Sequence, residues 1–170
     1  MPQIEIFYDH TCPYCFRGLA CFTQLVKDYP QAEMVWRPVE AHPKVEEPEH
    51  MPYADLAVMG AFFARDHGID IAAYNDRVFD MYFNEHQKVD DARVLAEAVK
   101  PLGIDTETFA AALTDSTYEK ALAEANEHAY ITNKVWAVPS FVCGDKRLDA
   151  VGGVGVTEKQ LAAFLRDCCG

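Results

Sequence analysis

The chain lacks any stretch near the roughly 20 consecutive apolar residues that a membrane-spanning helix requires. Nothing at its start reads as a basic and then apolar leader either, because Met1, Pro2 and Gln3 run straight into an alternating segment. Cations are scarce: 15 Lys and Arg against 27 Asp and Glu leave a net charge of −12. Nucleic acid and anionic membrane surfaces both select a basic face, so neither is expected as a partner. The expected location is the cytoplasm. Six cysteines in 170 residues are too few for a disulfide scaffold. A second Cys-x-x-Cys is also missing, which leaves a four-cysteine zinc site without its usual pair of knuckles. No metal is expected, and a non-enzymatic zinc-binding module stands only as an alternative. There is no internal repeat and no low-complexity segment. Half of the residues are apolar, enough to fill the core of one domain or of one domain with a sizeable insertion.

The stretch that carries chemistry runs from Ile4 to Cys15. Ile4, Ile6 and Tyr8 alternate with Glu5, Phe7 and Asp9 in a segment rich in β-branched and aromatic residues, which predicts a buried strand. Beyond Cys12-Pro13-Tyr14-Cys15, Leu19, Phe22, Leu25, Val26 and Tyr29 recur at helical spacing. Cys12 is therefore placed at a helix N-terminus. There the unpartnered amide N–H groups and the helix dipole favour a thiolate, while Pro13 occupies a first-turn position that needs no N–H. Thiols so placed titrate at roughly 3.5–7.5 instead of about 8.5. Cys15 falls within the first turn, close enough to pair with Cys12. Cys21 and Cys143 read as small buried hydrophobes, and Cys168 and Cys169 as part of a frayed, dispensable tail.

Further along, Ala32 to Val39 predicts a second strand, parallel to the first across the helix. From about Pro52 to Thr132 strand signals vanish and helix punctuation recurs. Pro52 opens one segment that stops at Gly68; Asp70, Asp90 or Asp91, and Asp105 are candidate caps for three more. Ser116-Thr117-Tyr118-Glu119 reads as a capping box for a fifth. Met51, Met59, Phe62, Met81, Tyr82 and Phe83 could line an apolar groove over the thiols, although core packing accounts for most of such residues. Val138 to Cys143 and Lys146 to Val151 predict a hairpin around Gly144-Asp145, and Thr157 with Gln160 predicts a capped final helix.

This order, with Cys12-Pro13-Tyr14-Cys15 after the first strand and Val138-Pro139 before the third, resembles the DsbA-like thiol-disulfide oxidoreductases, nearest their cytoplasmic FrnE-like branch. The resemblance implies an α/β thioredoxin-like fold with an all-helical insertion between the second and third strands. Residues 1–48 and 133–170 would form the thioredoxin-like domain and 49–132 the insertion. It also implies that Cys12 and Cys15 are catalytic, that Pro139 is cis beside them, and that Val138 offers its backbone to a substrate strand. Pro13, Tyr14 and His10 would complete the substrate-binding surface. His10 is read as a solvated loop side chain, or as a support for the thiolate if its ring turns inward. The expected partner is a thiol- or disulfide-bearing protein or small molecule, with no cofactor beyond the redox-active pair. The Pro-Tyr dipeptide resembles that of glutaredoxins, which admits glutathione or another low-molecular-weight thiol as co-substrate. Monomer and homodimer both stay open. The first-strand acid that many relatives carry is replaced here by Ile6, which leaves the proton acceptor for Cys15 unnamed. Kappa-class glutathione transferases and 2-hydroxychromene-2-carboxylate isomerases share a similar inserted fold and form the alternative, although their active position usually carries serine where this chain has Cys12.

Overall fold

A computed structural model describes residues 1–170. Four strands form one sheet in the order β2-β1-β3-β4, with β1 spanning Gln3–Tyr8, β2 Glu33–Pro38, β3 Ser140–Cys143 and β4 Lys146–Asp149. Strand β1 pairs parallel with β2 and antiparallel with β3. It is thus central, and Ile4, Ile6, Phe7 and Tyr8 are fully buried on its two faces. Helix α1, Pro13–Leu25, makes the crossover from β1 to the parallel β2, and α7, Glu158–Cys169, packs beside it. Phe22, Phe141, Leu161 and Leu165 fill the core beneath these helices. The hairpin turn at Gly144-Asp145 uses a left-handed glycine, φ 61°.

Between β2 and β3 lie five helices: α2 (Asp55–Asp66), α3 (Ile71–Phe79), α4 (Ala92–Val99), α5 (Thr106–Thr114) and α6 (Glu119–Glu127). Asp70, Asp91 and Asp105 cap α3, α4 and α5 through their carboxylates, and Thr157 with Gln160 closes a capping box on α7. The box expected at Ser116 does not form. Ser116 sits in the left-handed region at φ 71°, Thr117 bonds Asp115 instead, and α6 starts from Tyr118 without a side-chain cap. Helix α2 begins three residues after Pro52.

The helical segment has its own core of 20 buried residues, among them Met59, Phe62 and Met81, so these three face inward and line no groove. The segment also packs against the sheet. Phe79, from α3, belongs to the core under the sheet, and Ala129, from the π-helical turn His128–Thr132, packs with Phe7, Val39 and Val135 on the sheet's other face. The C-terminal tail is ordered helix through Cys169, tied down where Gln31 donates to the Cys169 carbonyl at 2.7 Å. Its cysteines are half-buried, because long-range packing holds a segment that local sequence alone marks as an end.

Candidate active site

Strand β1 ends at Tyr8, and the chain turns through Asp9, His10 and Thr11 into Cys12, the N-cap of α1, with Pro13 in the first turn. The turn is closed by the Cys12 amide donating to the Asp9 carbonyl at 3.2 Å, and the helix by Phe16 donating to the Cys12 carbonyl at 3.1 Å. Asp9 is 2 % exposed, and its carboxylate accepts from the Thr11 amide and hydroxyl and from the Ala41 amide, each at 2.7 Å. That network fixes where Cys12 begins the helix.

The two thiols are unalike. Cys12 is half-buried and Cys15 wholly buried, and neither is in a disulfide. The Cys15 thiol donating to the Cys12 sulfur is the largest influence on Cys12, followed by partial burial, which opposes it, and by the amides of Cys15 and Tyr14. The balance pulls Cys12 down to about 7. The neighbouring thiol is thus a larger influence than the amides at the helix start. Burial first, and then the same shared proton, push Cys15 well above the ordinary thiol range. The Asp9 charge acts against ionisation of both sulfurs, while the Asp9 amide donates to Cys15 Sγ at 3.5 Å.

The Cys12 thiol faces the Val138 carbonyl at 3.8 Å. The Val138–Pro139 peptide is cis, and neither the N–H nor the C=O of Val138 has a backbone partner, since the strand begins only at Ser140. Gly18 allows this approach: a Cβ there would lie 3.1 Å from Pro139 Cγ and 3.0 Å from Val156 Cγ2. Tyr14 is half-buried under Gly155, with the Arg17 guanidinium 5.1 Å from its ring centre, while Pro13 is exposed. Exposed Trp136 and Val154 flank the same loops.

His10 is a correction. Its ring is fully buried, donates through Nε2 to Asn75 Oδ1 at 2.8 Å, and is therefore neither a solvated loop side chain nor a surface contact for substrate. Tyr8 donates to the same oxygen at 2.9 Å. Burial draws the His10 ring down to about 4, so it stays neutral and gives Cys12 no positive charge. Asn75 comes from α3, so the helical segment supplies the polar partner that lets the turn after β1 carry a buried histidine. Sequence reasoning missed Asn75 and Asp9. Asn75 lies 65 positions from His10 and carries no local signal, whereas Asp9 was visible as an acid at the end of a buried strand.

Phe16 stacks on Phe83 at 4.7 Å, and Phe16, Leu19, Trp36, Asn75 and Phe79 line a groove of about 530 Å³ between α1 and α3. No group of three or more His, Cys, Asp or Glu side chains is arranged to hold a metal ion, and no helix is long and apolar enough to cross a membrane.

Residues 3–162 match the family model described as the DSBA-like thioredoxin domain. The chain belongs to that family. It is 29% identical to the uncharacterized protein YwbO of Bacillus subtilis (strain 168), over 94% of this chain and 96% of that one. A crystal structure of a probable DsbA oxidoreductase from Streptomyces coelicolor superposes with a TM-score of 0.80 at 17% identity, covering 98% of this chain and 89% of that one. The cytosolic disulfide reductase DsbM from Pseudomonas aeruginosa, solved with GSH, gives 0.71 at 14% identity over 97% and 98%. These likenesses reach the family and its fold and stop short of a branch within it. Members of the family are in general thiol-disulfide oxidoreductases acting on thiol or disulfide substrates.

Proposed function

We propose that the protein exchanges disulfides through Cys12 and Cys15. The observation that carries this reading is the asymmetry of the pair: a half-exposed sulfur drawn down to about 7 beside a buried one held protonated. In the reducing direction the Cys12 thiolate attacks a substrate disulfide, one substrate sulfur leaves as thiolate, and a mixed disulfide forms at Cys12. Cys15 then loses its proton and attacks Cys12 Sγ. The second substrate sulfur leaves, and Cys12–Cys15 is oxidised while the substrate is reduced by two electrons. In the oxidising direction the same steps run backwards. The unpartnered backbone of Val138 offers an edge to an extended thiol-bearing segment, with Tyr14 and Pro13 beside it.

Asp9, and not a residue at the Ile6 position, supplies the acid nearest the pair. It is the buried acid of this site, and its charge acts against ionisation of both sulfurs, which keeps the Cys15 proton in place until Cys12 is engaged. The retained Cys15 favours redox chemistry over the transferase or isomerase alternative, which needs one active oxygen or sulfur and no resolving thiol. With its acidic surface and its Pro-Tyr dipeptide, the protein is read as cytoplasmic and as accepting glutathione or a related small thiol. The test is a titration of the Cys12–Cys15 couple against glutathione, with mixed disulfides trapped on Cys15→Ala. A pair that does not equilibrate with glutathione, or a variant that traps nothing at Cys12, contradicts the reading.

A further inference from the structure

The turn from β1 into Cys12 is gripped by the helical segment from two directions. One is Asn75, on the His10 ring. The other runs through the residues that follow β2. The Val39 amide donates to the Tyr8 carbonyl at 2.8 Å and the Ala41 amide to Asp9 Oδ2 at 2.7 Å, so this stretch lies along the end of β1. Between them Glu40 is 4 % exposed, and each of its polar groups is engaged. Its amide donates to Asn126 Oδ1 and its Oε1 accepts from Asn126 Nδ2, both at 3.1 Å. Its Oε2 accepts from the Lys44 amide at 3.0 Å, and its carbonyl accepts from the Tyr130 hydroxyl. All but the Lys44 bond come from α6 and the turn after it. Burial pushes the Glu40 carboxyl up against these donors. An apolar residue would cover the strand end at lower cost, so the polar grip on Glu40 calls for a reason beyond packing.

We propose that Asn126 and Tyr130 are positioning residues for the Cys12–Cys15 pair, acting through Glu40 and Ala41 on Asp9. The proposal rests on the thiol-disulfide reading above and deepens it. The Glu40 carbonyl and the Ala41 amide belong to one planar peptide, and in a trans peptide the C=O and N–H point in opposite directions. The Tyr130 hydroxyl, by fixing the carbonyl on one side, therefore aims the N–H at Asp9 on the other. Asn126 holds the same residue by its amide and its carboxyl. At Asp9 the two carboxylate oxygens are held separately: Oδ1 accepts from the Thr11 amide and hydroxyl, and Oδ2 accepts from Ala41. The Asp9 backbone touches the start and the first turn of α1, accepting from the Cys12 amide at 3.2 Å and donating to Cys15 Sγ at 3.5 Å. Its charge acts against ionisation of both sulfurs. The same charge bears on His10, which stays neutral at pH 7, and on Glu40, Tyr82 and Tyr130, each pushed up chiefly by burial. A slackened Ala41 amide lets the carboxylate turn away from the sulfurs, and Cys12 then ionises more readily.

The test is the pH midpoint of Cys12 alkylation in the full-length chain, read in Asn126→Leu, in Tyr130→Phe and in each combined with Asp9→Asn. Asp9→Asn should lower the midpoint from near 7 by roughly 0.5–1 pH unit, since it removes a neighbouring negative charge. Asn126→Leu and Tyr130→Phe should each give part of that fall, and neither should add to it in the Asp9→Asn background. A residue that only stabilises the fold would lower the thermal midpoint and leave this profile where it is. Tyr130→Phe keeps the ring and drops one hydroxyl, so it carries the test if Asn126→Leu does not fold. Alkylation needs no substrate, so failure of the parent to equilibrate with glutathione would count against the exchange reading alone and leave these shifts readable. The proposal is overturned by a Tyr130→Phe midpoint equal to or above the parent's, or by a fall of the same size in the Asp9→Asn background.

Discussion

The helical segment and the sheet-bearing unit solve different problems. In the helical segment the core is apolar, and where a polar atom is buried, as in Tyr74 donating to the Ala57 carbonyl at 2.7 Å, one bond satisfies it. Around the end of β1, by contrast, Asp9, His10, Glu40 and Ser140 are all buried, with Asn75 reaching in from α3. Burial there is expensive, because each polar group must find its partners, and two atoms, His10 Nδ1 and Asn75 Nδ2, find none. Packing fixes the first region. In the second, a polar network fixes where Cys12 and Cys15 sit and how their protons are shared. Stability and chemistry should therefore separate when each is perturbed.

The largest separation is expected at the two glycines buried within helices. A Cβ at Gly60 would lie 2.2 Å from the Tyr74 hydroxyl and 2.8 Å from Phe109 Cζ. Overpacking of this kind costs about 1–3 kcal/mol or more and outweighs the roughly 1 kcal/mol that alanine gains over glycine in a helix. Gly60→Ala should lower the urea midpoint by an amount worth about 2 kcal/mol and leave disulfide exchange at 20 °C unchanged. Slowed exchange in a fully folded Gly60→Ala protein would show that the two regions are not separable.

A pH titration of stability sharpens the contrast from the other side. His10 is held neutral down to about 4 in the folded chain, against an ordinary value of roughly 6.5. As pH falls the unfolded chain takes up the proton first. The contribution is full above about pH 6.5, is lost between 6.5 and 4, and is level below that. Its size is at most about 3 kcal/mol. His10→Gln should flatten that part of the stability curve in urea titrations at pH 7.5, 5.5 and 4.5. An equal slope in parent and variant would remove the histidine from the account.

Gly18→Ala, on α1, should do the reverse of Gly60→Ala. The contacts with Pro139 and Val156 are tight but short of a clash, and helix propensity offsets them, so stability should change by no more than about 1 kcal/mol. Exchange should slow, because Pro139 and the Val138 carbonyl move away from Cys12; unchanged exchange would mean that this approach does not position the site. The smallest effect is expected at Arg93, whose pair with Glu107 at 2.6 Å is solvent-exposed on the helical segment. Arg93→Ala should leave both the urea midpoint and the exchange rate at the parent's values, and a clear fall in either would give this surface pair a weight that solvent screening denies it.

Local signals carried much of this arrangement. The alternation into Cys12, the caps at Asp70, Asp105 and Thr157, and the hairpin at Gly144 each depend on residues within a few positions of one another, and each is readable in the sequence. Ser116 misled because its backbone is left-handed and the helix starts two residues later, from Tyr118. The tail misled because Gln31, 138 positions away, holds it in place. His10 misled for the same reason: its partner, Asn75, arrives from another segment of the chain. The leading cause of the Cys12 shift was also out of reach, since it is a proton donated by Cys15 and not the helix start.

That shared proton is the centre of the account, and alkylation of Cys12 against pH tests it directly in the parent and in Cys15→Ala. The parent should show a midpoint near 7, and the variant, deprived of the donor, a midpoint displaced towards the ordinary thiol value of about 8.5. A parent midpoint at or above about 8.5, or a variant midpoint equal to the parent's, would contradict the claim that Cys15 holds Cys12 ready as a thiolate.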